Sequence, residues 1–429
     1  MRKRLFSILL AQCMVLCLVP TTAFAESETE ETPVCTCETA CTEETMNAEC
    51  PICGAEGALA ENCGKYVEPA AEGEESQLEG EKTQEKQDSD MPDTQSEATL
   101  AQMSGEGENG IAVQSAGVAI DNTNFPDANF RTVVENYDTN KDGNLSDTEI
   151  ATVEAIDCFK KGITNLKGIE YFTALKILWC AENQLTALDV SENTALRFLS
   201  CYRNRLTTLD VDKNTALEEL YCYSNQLTKL DVSKNTSLTI LNCIYNQLTT
   251  LDVNKNTALN KLWCGDNRLT TLDVSKNTAL TDLYCSSCNQ LTELDVSKNT
   301  ALTYLDCSGN QLTALDVSKN TALTDLYCGV NQLTTLDISK NTALTDLDCG
   351  RNQLAELDVS KNTALTKLDC GRNQLTELDV SKNTSLTELD CDENQLTSLD
   401  LSNTNMDDLD CYDNIYQIIV GNDRTFDLS

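Results

Sequence analysis

Histidine is absent from all 429 residues. Its absence removes His-based triads, imidazole general acid–base catalysis and imidazole metal ligands. Basic residues are scarce: 31 Lys and Arg stand against 69 Asp and Glu, a formal net charge of −38. A chain this acidic is a poor ligand for nucleic acid or an anionic membrane surface. Long apolar runs are also missing after the first 25 residues. A mature transmembrane helix, which needs about 20 apolar residues, is therefore not expected. The composition suits a soluble extracellular protein, or one that attracts cations.

The first residues read as a secretory signal. Arg2-Lys3-Arg4 precede an apolar stretch from Leu5 to Val19, and Ala23-Phe24-Ala25 fits cleavage after Ala25. Cys17 follows Val15-Leu16 rather than small residues, so no lipid anchor is expected, and no sorting motif is visible at Phe426-Asp427-Leu428-Ser429. Residues 26–66 carry Cys35, Cys37, Cys41, Cys50, Cys53 and Cys63. In an exported segment they suit disulfides, and Cys50-Pro-Ile-Cys53 leaves half of a zinc site as the alternative. Residues 67–120 are rich in Glu, Gln, Ser and Gly, and cannot bury enough apolar surface to offset ordering. They are expected to be a disordered acidic linker.

Residues 121–158 change character. Phe125-Pro126-Asp127 precedes Phe130, Val133, Val134 and Tyr137, which share one helical face. The next twelve residues, Asp138 to Glu149, follow the EF-hand loop pattern. Asp138, Asn140 and Asp142 supply side-chain oxygens, Gly143 permits the sharp turn, and Asn144 offers its carbonyl. Ser146 acts directly or through water, and Glu149 is bidentate. Ser146 and Glu149 also form a capping box for the exiting helix. A single loop of this kind predicts weak structural calcium binding, roughly 10⁻⁴–10⁻³ M.

From about residue 153 to 415 a 21-residue unit repeats, as in Leu344-Thr-Asp-Leu347-Asp-Cys349-Gly-Arg-Asn352-Gln-Leu354. Its Leu, Cys and Asn spacing is the leucine-rich-repeat signature. Thirteen Cys positions, from Cys158 to Cys411, predict thirteen coils, with Cys288 standing apart in a one-residue insertion. Alternation puts Leu and Cys inside and predicts a stack of inert, buried thiols. A column of Asn, from Asn183 to Asn414, is placed to satisfy backbone groups in the turns. The other half-coil, Leu-Asp-Val-Ser-Lys-Asn-Thr, hardly varies and reads as scaffold. Residues 416–429 form a tail or cap, with a short strand between Asn414 and Val420.

Variation gathers on the outward positions beside each Cys. Trp179, Tyr221, Trp263, Tyr284 and Tyr327 stand immediately before it, and Phe198, Tyr202, Tyr223, Tyr245 and Tyr304 flank that column. Both Trp residues lie here. Inward burial does not account for these rings, so the face is expected to bind a partner, with strand propensity and cross-strand stacking as the alternative. Beyond it, Asp348, Asp369, Asp390 and Asp410 make the last third acidic.

The Leu-x-x-Leu-x-Cys-x-x-Asn-x-Leu array, with its Phe-Pro-Asp helix and EF-hand-like entry, resembles secreted, internalin-like leucine-rich-repeat proteins of anaerobic Gram-positive bacteria. The resemblance covers residues 121–415. It implies a secreted or surface-associated binding role, often toward host proteins or glycans. Its partner-contacting residues do not carry over, because that face differs between members. We therefore expect a mainly β fold with minor α: a right-handed solenoid with an EF-hand-like cap. The expected function is a monomeric extracellular protein that recognises a protein partner, in adhesion or host interaction. A carbohydrate-binding module and a spacer without a ligand are the alternatives, and an enzyme is not expected.

Overall fold

The computed structural model describes residues 117–414 except 288–289, together with the backbone of 417–419. The expected signal segment and Cys-rich module, most of the expected acidic linker, Cys288 and most of the expected tail lie outside the described residues.

The N-terminal cap begins with β1 (Val118–Ala119), followed by helix α1 (Ala128–Val134). Asp127 starts this helix by accepting hydrogen bonds from the main chains of Asn129 and Phe130. It also accepts from the Thr164 N–H at 2.8 Å, which ties the helix to the first coil. Strand β2 (Asn144–Leu145) pairs antiparallel with β1, and helix α2 (Asp147–Thr152) follows it. Phe125, Phe130, Val134, Leu145 and Phe172 are fully buried beneath the cap. Phe125 meets Phe130, Tyr171 and Phe172 at ring-centroid distances of 6.0, 5.7 and 6.5 Å. This aromatic plug covers the first coil, whose core would otherwise face water.

The coils begin at β3 (Ala155–Asp157). Strands β4 to β14 follow as Ile177–Trp179, Phe198–Ser200, Glu219–Tyr221, Ile240–Asn242, Lys261–Trp263, Asp282–Tyr284, Tyr304–Asp306, Asp325–Tyr327, Asp346–Asp348, Lys367–Asp369 and Glu388–Asp390. Next come β15 (Ser398–Asp400), β16 (Asp408–Asp410) and β17 (Gln417–Ile419). Strands β3 to β14 and β16 form one thirteen-stranded parallel sheet in strict register, so that Leu326 faces Leu305 and Leu347. Strand β17 pairs parallel with β15, in the segment where a capping strand is expected.

Each strand is three residues long with only its middle residue inward, as the alternation requires. In one coil Leu326, Cys328, Leu333, Leu336, Ile338 and Leu344 are all buried. The Leu-Asp-Val-Ser half-coils form turns rather than helices. Main-chain bonds join each coil to the next, as from Cys328 N–H to Asp348 O and from Thr345 N–H to Thr324 O, both 2.8 Å.

Two Asn ladders hold the turns. In the first, Asn331 donates to the carbonyls of Cys307, Cys328 and Gly329 at 3.0, 3.1 and 3.1 Å and accepts from Leu312 N–H at 3.0 Å. Both the amide nitrogen and the amide oxygen are thus engaged. The second ladder lies in the Lys-Asn-Thr turn. There Asn320 donates to Val296 O at 3.0 Å and Asn299 O at 2.8 Å, while its Oδ1 has no partner. The sequence pattern alone marks this second column only as scaffold. Its signal was the recurrence of Asn in every turn, where any polar residue would serve at a surface.

Candidate functional site

The aromatic residues line the outward positions of the sheet, but most of them also pack on one another. Trp179 and Phe198 have ring centroids 5.5 Å apart, as do Phe198 and Tyr221. Tyr202 and Tyr223 stack at 4.3 Å with planes 8° apart, and Tyr304 meets Tyr327 at 5.6 Å. Trp263 carries the Lys261 ammonium 5.5 Å from its ring centroid. As a result nine of the ten aromatic residues expected in the face are half-buried, and only Tyr245, at 59%, is fully exposed. The cause is parallel register, which sets neighbouring coils about 4.8 Å apart and brings rings on successive coils into contact. Tyr245 escapes because it follows the strand, at a left-handed position (φ 52°) that turns it outward. The face thus carries separate, partly preorganised ring groups, Trp179–Phe198–Tyr221, Tyr202–Tyr223 and Tyr304–Tyr327. Ser200 and Asn242, in the same column, are buried.

The acidic third of the face is built differently from a simple solvated run. Asp348 accepts from Gly350 N–H at 2.9 Å, Asp369 from Gly371 N–H at 3.0 Å, and Asp390 from Asp392 N–H at 3.1 Å. Each carboxylate therefore closes the turn that follows its own strand. Glycine makes room for this: a Cβ on Gly329 or Gly350 would lie 2.5 Å from the carboxylate of Asp348 or Asp369 on the next coil. These carboxylates are half-buried and stand side by side in the parallel ladder. Desolvation, with repulsion from neighbouring aspartates, raises Asp348 to about 6, Asp369 to about 7 and Asp390 to about 8.

The aspartates of the Leu-Asp-Val-Ser half-coil behave oppositely. Asp337 accepts from Ser339 N–H at 2.9 Å, in the open, and this bond lowers its pKa. The Lys three residues on contributes a smaller lowering, after the Ser339 bonds. The Cys ladder is buried throughout the described residues. Burial pushes the Cys201 and Cys243 thiols up to about 12, consistent with a packing role.

At the loop expected to hold calcium, the oxygens of Asp138, Asn140 and Asp142 turn inward. Asp138 accepts from Gly143 N–H at 2.8 Å, Asn140 from Asp142 N–H at 2.8 Å, and Asp142 from Asn144 N–H at 2.8 Å. Glu149 closes the loop, one oxygen accepting from Thr139 N–H at 2.7 Å and the other from Ser146 N–H at 2.9 Å. Hydrogen bonds from the Thr139 hydroxyl, then from Ser146, hold its carboxyl at about 2. Asp138 and Glu149 are both buried, and no ion pair among the described residues involves either. No three His, Cys, Asp or Glu groups among the described residues converge as a metal cluster. The donors are all oxygen, so the loop fits a hard cation that also draws on amide and main-chain oxygens.

No protein-family model matches the chain. Internalin J of Listeria monocytogenes serotype 4b (strain F2365) is 43% identical over 70 residues, which span 16% of this chain and 8% of that protein. The solved functional domain of InlJ from Listeria monocytogenes, whose description includes a cysteine ladder, matches with a TM-score of 0.61 and 39% identity. That match covers 70% of this chain and 72% of the domain. The structure of the internalin InlF from L. monocytogenes strain 4b F2365 shares the fold, with a TM-score of 0.63 and 24% identity over 71% of this chain and 94% of that one. No helix among the described residues is long and apolar enough to cross a membrane.

Proposed function

Because the chain belongs to the internalin-type family of leucine-rich-repeat proteins, we propose that it is a binding protein that recognises a protein partner through its aromatic sheet face. The observation that carries this reading is the division of labour within each strand. Leu and Cys fill the inward position, so Trp179, Trp263 and the surrounding Tyr residues are not needed for the core. A half-buried ring surface also loses little side-chain entropy on docking, which favours affinity. We assign the protein to the cell exterior, as a secreted or surface-associated monomer in adhesion or host contact. Catalysis has no place in this reading, since the face offers rings and turn-closing carboxylates but no imidazole or reactive thiol.

Calcium enters the proposal as a structural ion. Asp138, Asn140, Asp142, Asn144, Ser146 and Glu149 would hold it, and its charge would offset the buried carboxylates beneath the cap. The partner reading is tested by pull-down from host and bacterial extracts, in calcium, with the full chain and its Trp179→Ser/Trp263→Ser variant. A species captured by the parent alone supports the face as the binding site. Equal capture by two equally folded proteins removes it. The stacked Tyr202–Tyr223 pair also suits a sugar ring, and binding on a glycan array that the same variant abolishes would replace the protein partner with a glycan.

A further inference from the structure

The charge of the sheet face narrows what its partner can be. From Glu219 to Asp410 the outward strand positions hold eleven acidic residues and two lysines. Both lysines are already seated. Lys261 lies over the Trp263 ring at 5.5 Å and reaches Asp282 on the next strand at 3.6 Å. Lys367, in register between Asp346 and Glu388, reaches Glu388 at 3.4 Å. The fold thus shows twice how this face takes a cation: across adjacent strands, against a carboxylate, and once against an aromatic ring as well. Two lysines, with Arg351 acting on Asp369, do not balance eleven acids, and Asp348, Asp369 and Asp390 stand at the same position of successive strands, where each disfavours ionisation of the next. A face of rings and carboxylates on flat parallel strands favours guanidinium and ammonium groups, which gain from both.

We propose that the sheet face binds an extended, cationic polypeptide segment whose Arg or Lys side chains lie against the strand carboxylates in the manner of Lys261 and Lys367. The inference rests on the reading of this face as the partner site, and it specifies the partner's chemistry. Orientation follows from the distribution of residues: apolar or aromatic side chains of the segment meet the rings between Trp179 and Trp263, and its cations meet the ladder from Asp306 to Asp410.

The test must separate a specific face from the general pull of an acidic protein. Three forms of the full chain are compared by titration calorimetry: the parent, Asp348→Asn/Asp369→Asn/Asp390→Asn on the sheet face, and Asp316→Asn/Asp337→Asn/Asp358→Asn on the other half-coil. Titrations are made at about pH 9, where Asp348, Asp369 and Asp390 are ionised despite their raised pKa values, so that both variants lose the same charge, and Asn can still close each turn. The probe is a twelve-residue peptide alternating Arg with Gly, against a matched peptide alternating Ser with Gly. The sheet-face variant is expected to bind the Arg peptide about tenfold more weakly, and the other variant within about twofold of the parent. Equal weakening by the two variants, or no preference of the parent for Arg over Ser, overturns the proposal. The underlying reading fails separately: if Trp179→Ser/Trp263→Ser leaves protein capture intact while the Arg preference persists, the aromatic contribution is lost and the cation site stands.

Discussion

The two aspartate ladders should respond to pH with opposite signs, and Asp369 is the place to measure it. Its carboxyl, between Asp348 and Asp390 in the sheet, sits at about 7 instead of 3.8. Ionising it in the fold rather than in the unfolded chain thus costs about 4 kcal/mol, of which solvent screening at a half-buried site leaves about 1–2 kcal/mol. A raised carboxyl contributes stability that is fully present below about pH 4 and is lost as pH rises through about 7. Asp369→Asn keeps an oxygen for Gly371 N–H and removes the charge. It should therefore stabilise the protein at pH 8 by about 1–2 kcal/mol and leave it unchanged at pH 4. With a urea slope of about 3 kcal/mol/M for a chain of this size, the midpoint should rise by roughly 0.3–0.7 M at pH 8. Asp337→Asn should do the reverse, because that carboxyl is lowered by Ser339 and stabilises the fold in its charged form. Urea unfolding followed by far-ultraviolet circular dichroism at pH 4, 6 and 8 gives the comparison. A lower midpoint for Asp369→Asn at pH 8, or equal shifts at pH 4 and pH 8, would refute the reasoning.

Three further outcomes follow from the same geometry. Asn331→Ala removes three donated bonds and strands the buried Leu312 N–H, while the carbonyls of Cys307, Cys328 and Gly329 keep their bonds from Asn310, Asn352 and Gly309; it should cost about 2–5 kcal/mol, against about 1–3 kcal/mol for Asn320→Ala, which strands no donor. Denaturant midpoints in the reverse order would contradict the assignment of the two ladders. Cys328→Ser should destabilise by about 1–3 kcal/mol by placing a hydroxyl in an apolar column, while Cys328 in the parent resists a thiol-labelling reagent until unfolding. Rapid native labelling of Cys328, located by peptide mapping, would disprove its burial. Calcium at about 10 mM should raise the melting temperature by an amount equivalent to about 1–3 kcal/mol, and Asp138→Asn/Asp142→Asn should abolish that rise. An unchanged rise in the variant would place any calcium elsewhere.

Much of the fold was legible because the repeat makes each residue type vote many times. Leu347 and Cys349 recur in every coil with the same phase, and a strand has only two faces, so burial followed from counting. The capping box at Ser146 and Glu149 was equally readable, since it depends on residues three apart. What could not be read was contact between coils. The sequence shows Asp348 as an acid on an outward position, but its seat over Gly329 comes from the preceding coil, 19 residues back. The half-burial of the rings has the same origin: Phe198 touches Trp179 and Tyr221 only because the strands are in register. The second Asn column hid for a different reason. An Asn in a Ser-Lys-Asn turn looks solvated until the stacking of coils covers Asn320. The aromatic face proposed to bind was legible as a departure from uniformity, and the chemistry of its partner was not, because that chemistry is written in charge and spacing across coils.

The central claim is that partners dock on the sheet face rather than on the other half-coil. Hydrogen exchange of the full chain, alone and with a captured partner, tests it most directly. The account predicts slowed exchange in peptides spanning the strands and following turns from Trp179 to Tyr327, with the Leu-Asp-Val-Ser segments unchanged. Protection confined to those segments, with the strands unaffected, would contradict it.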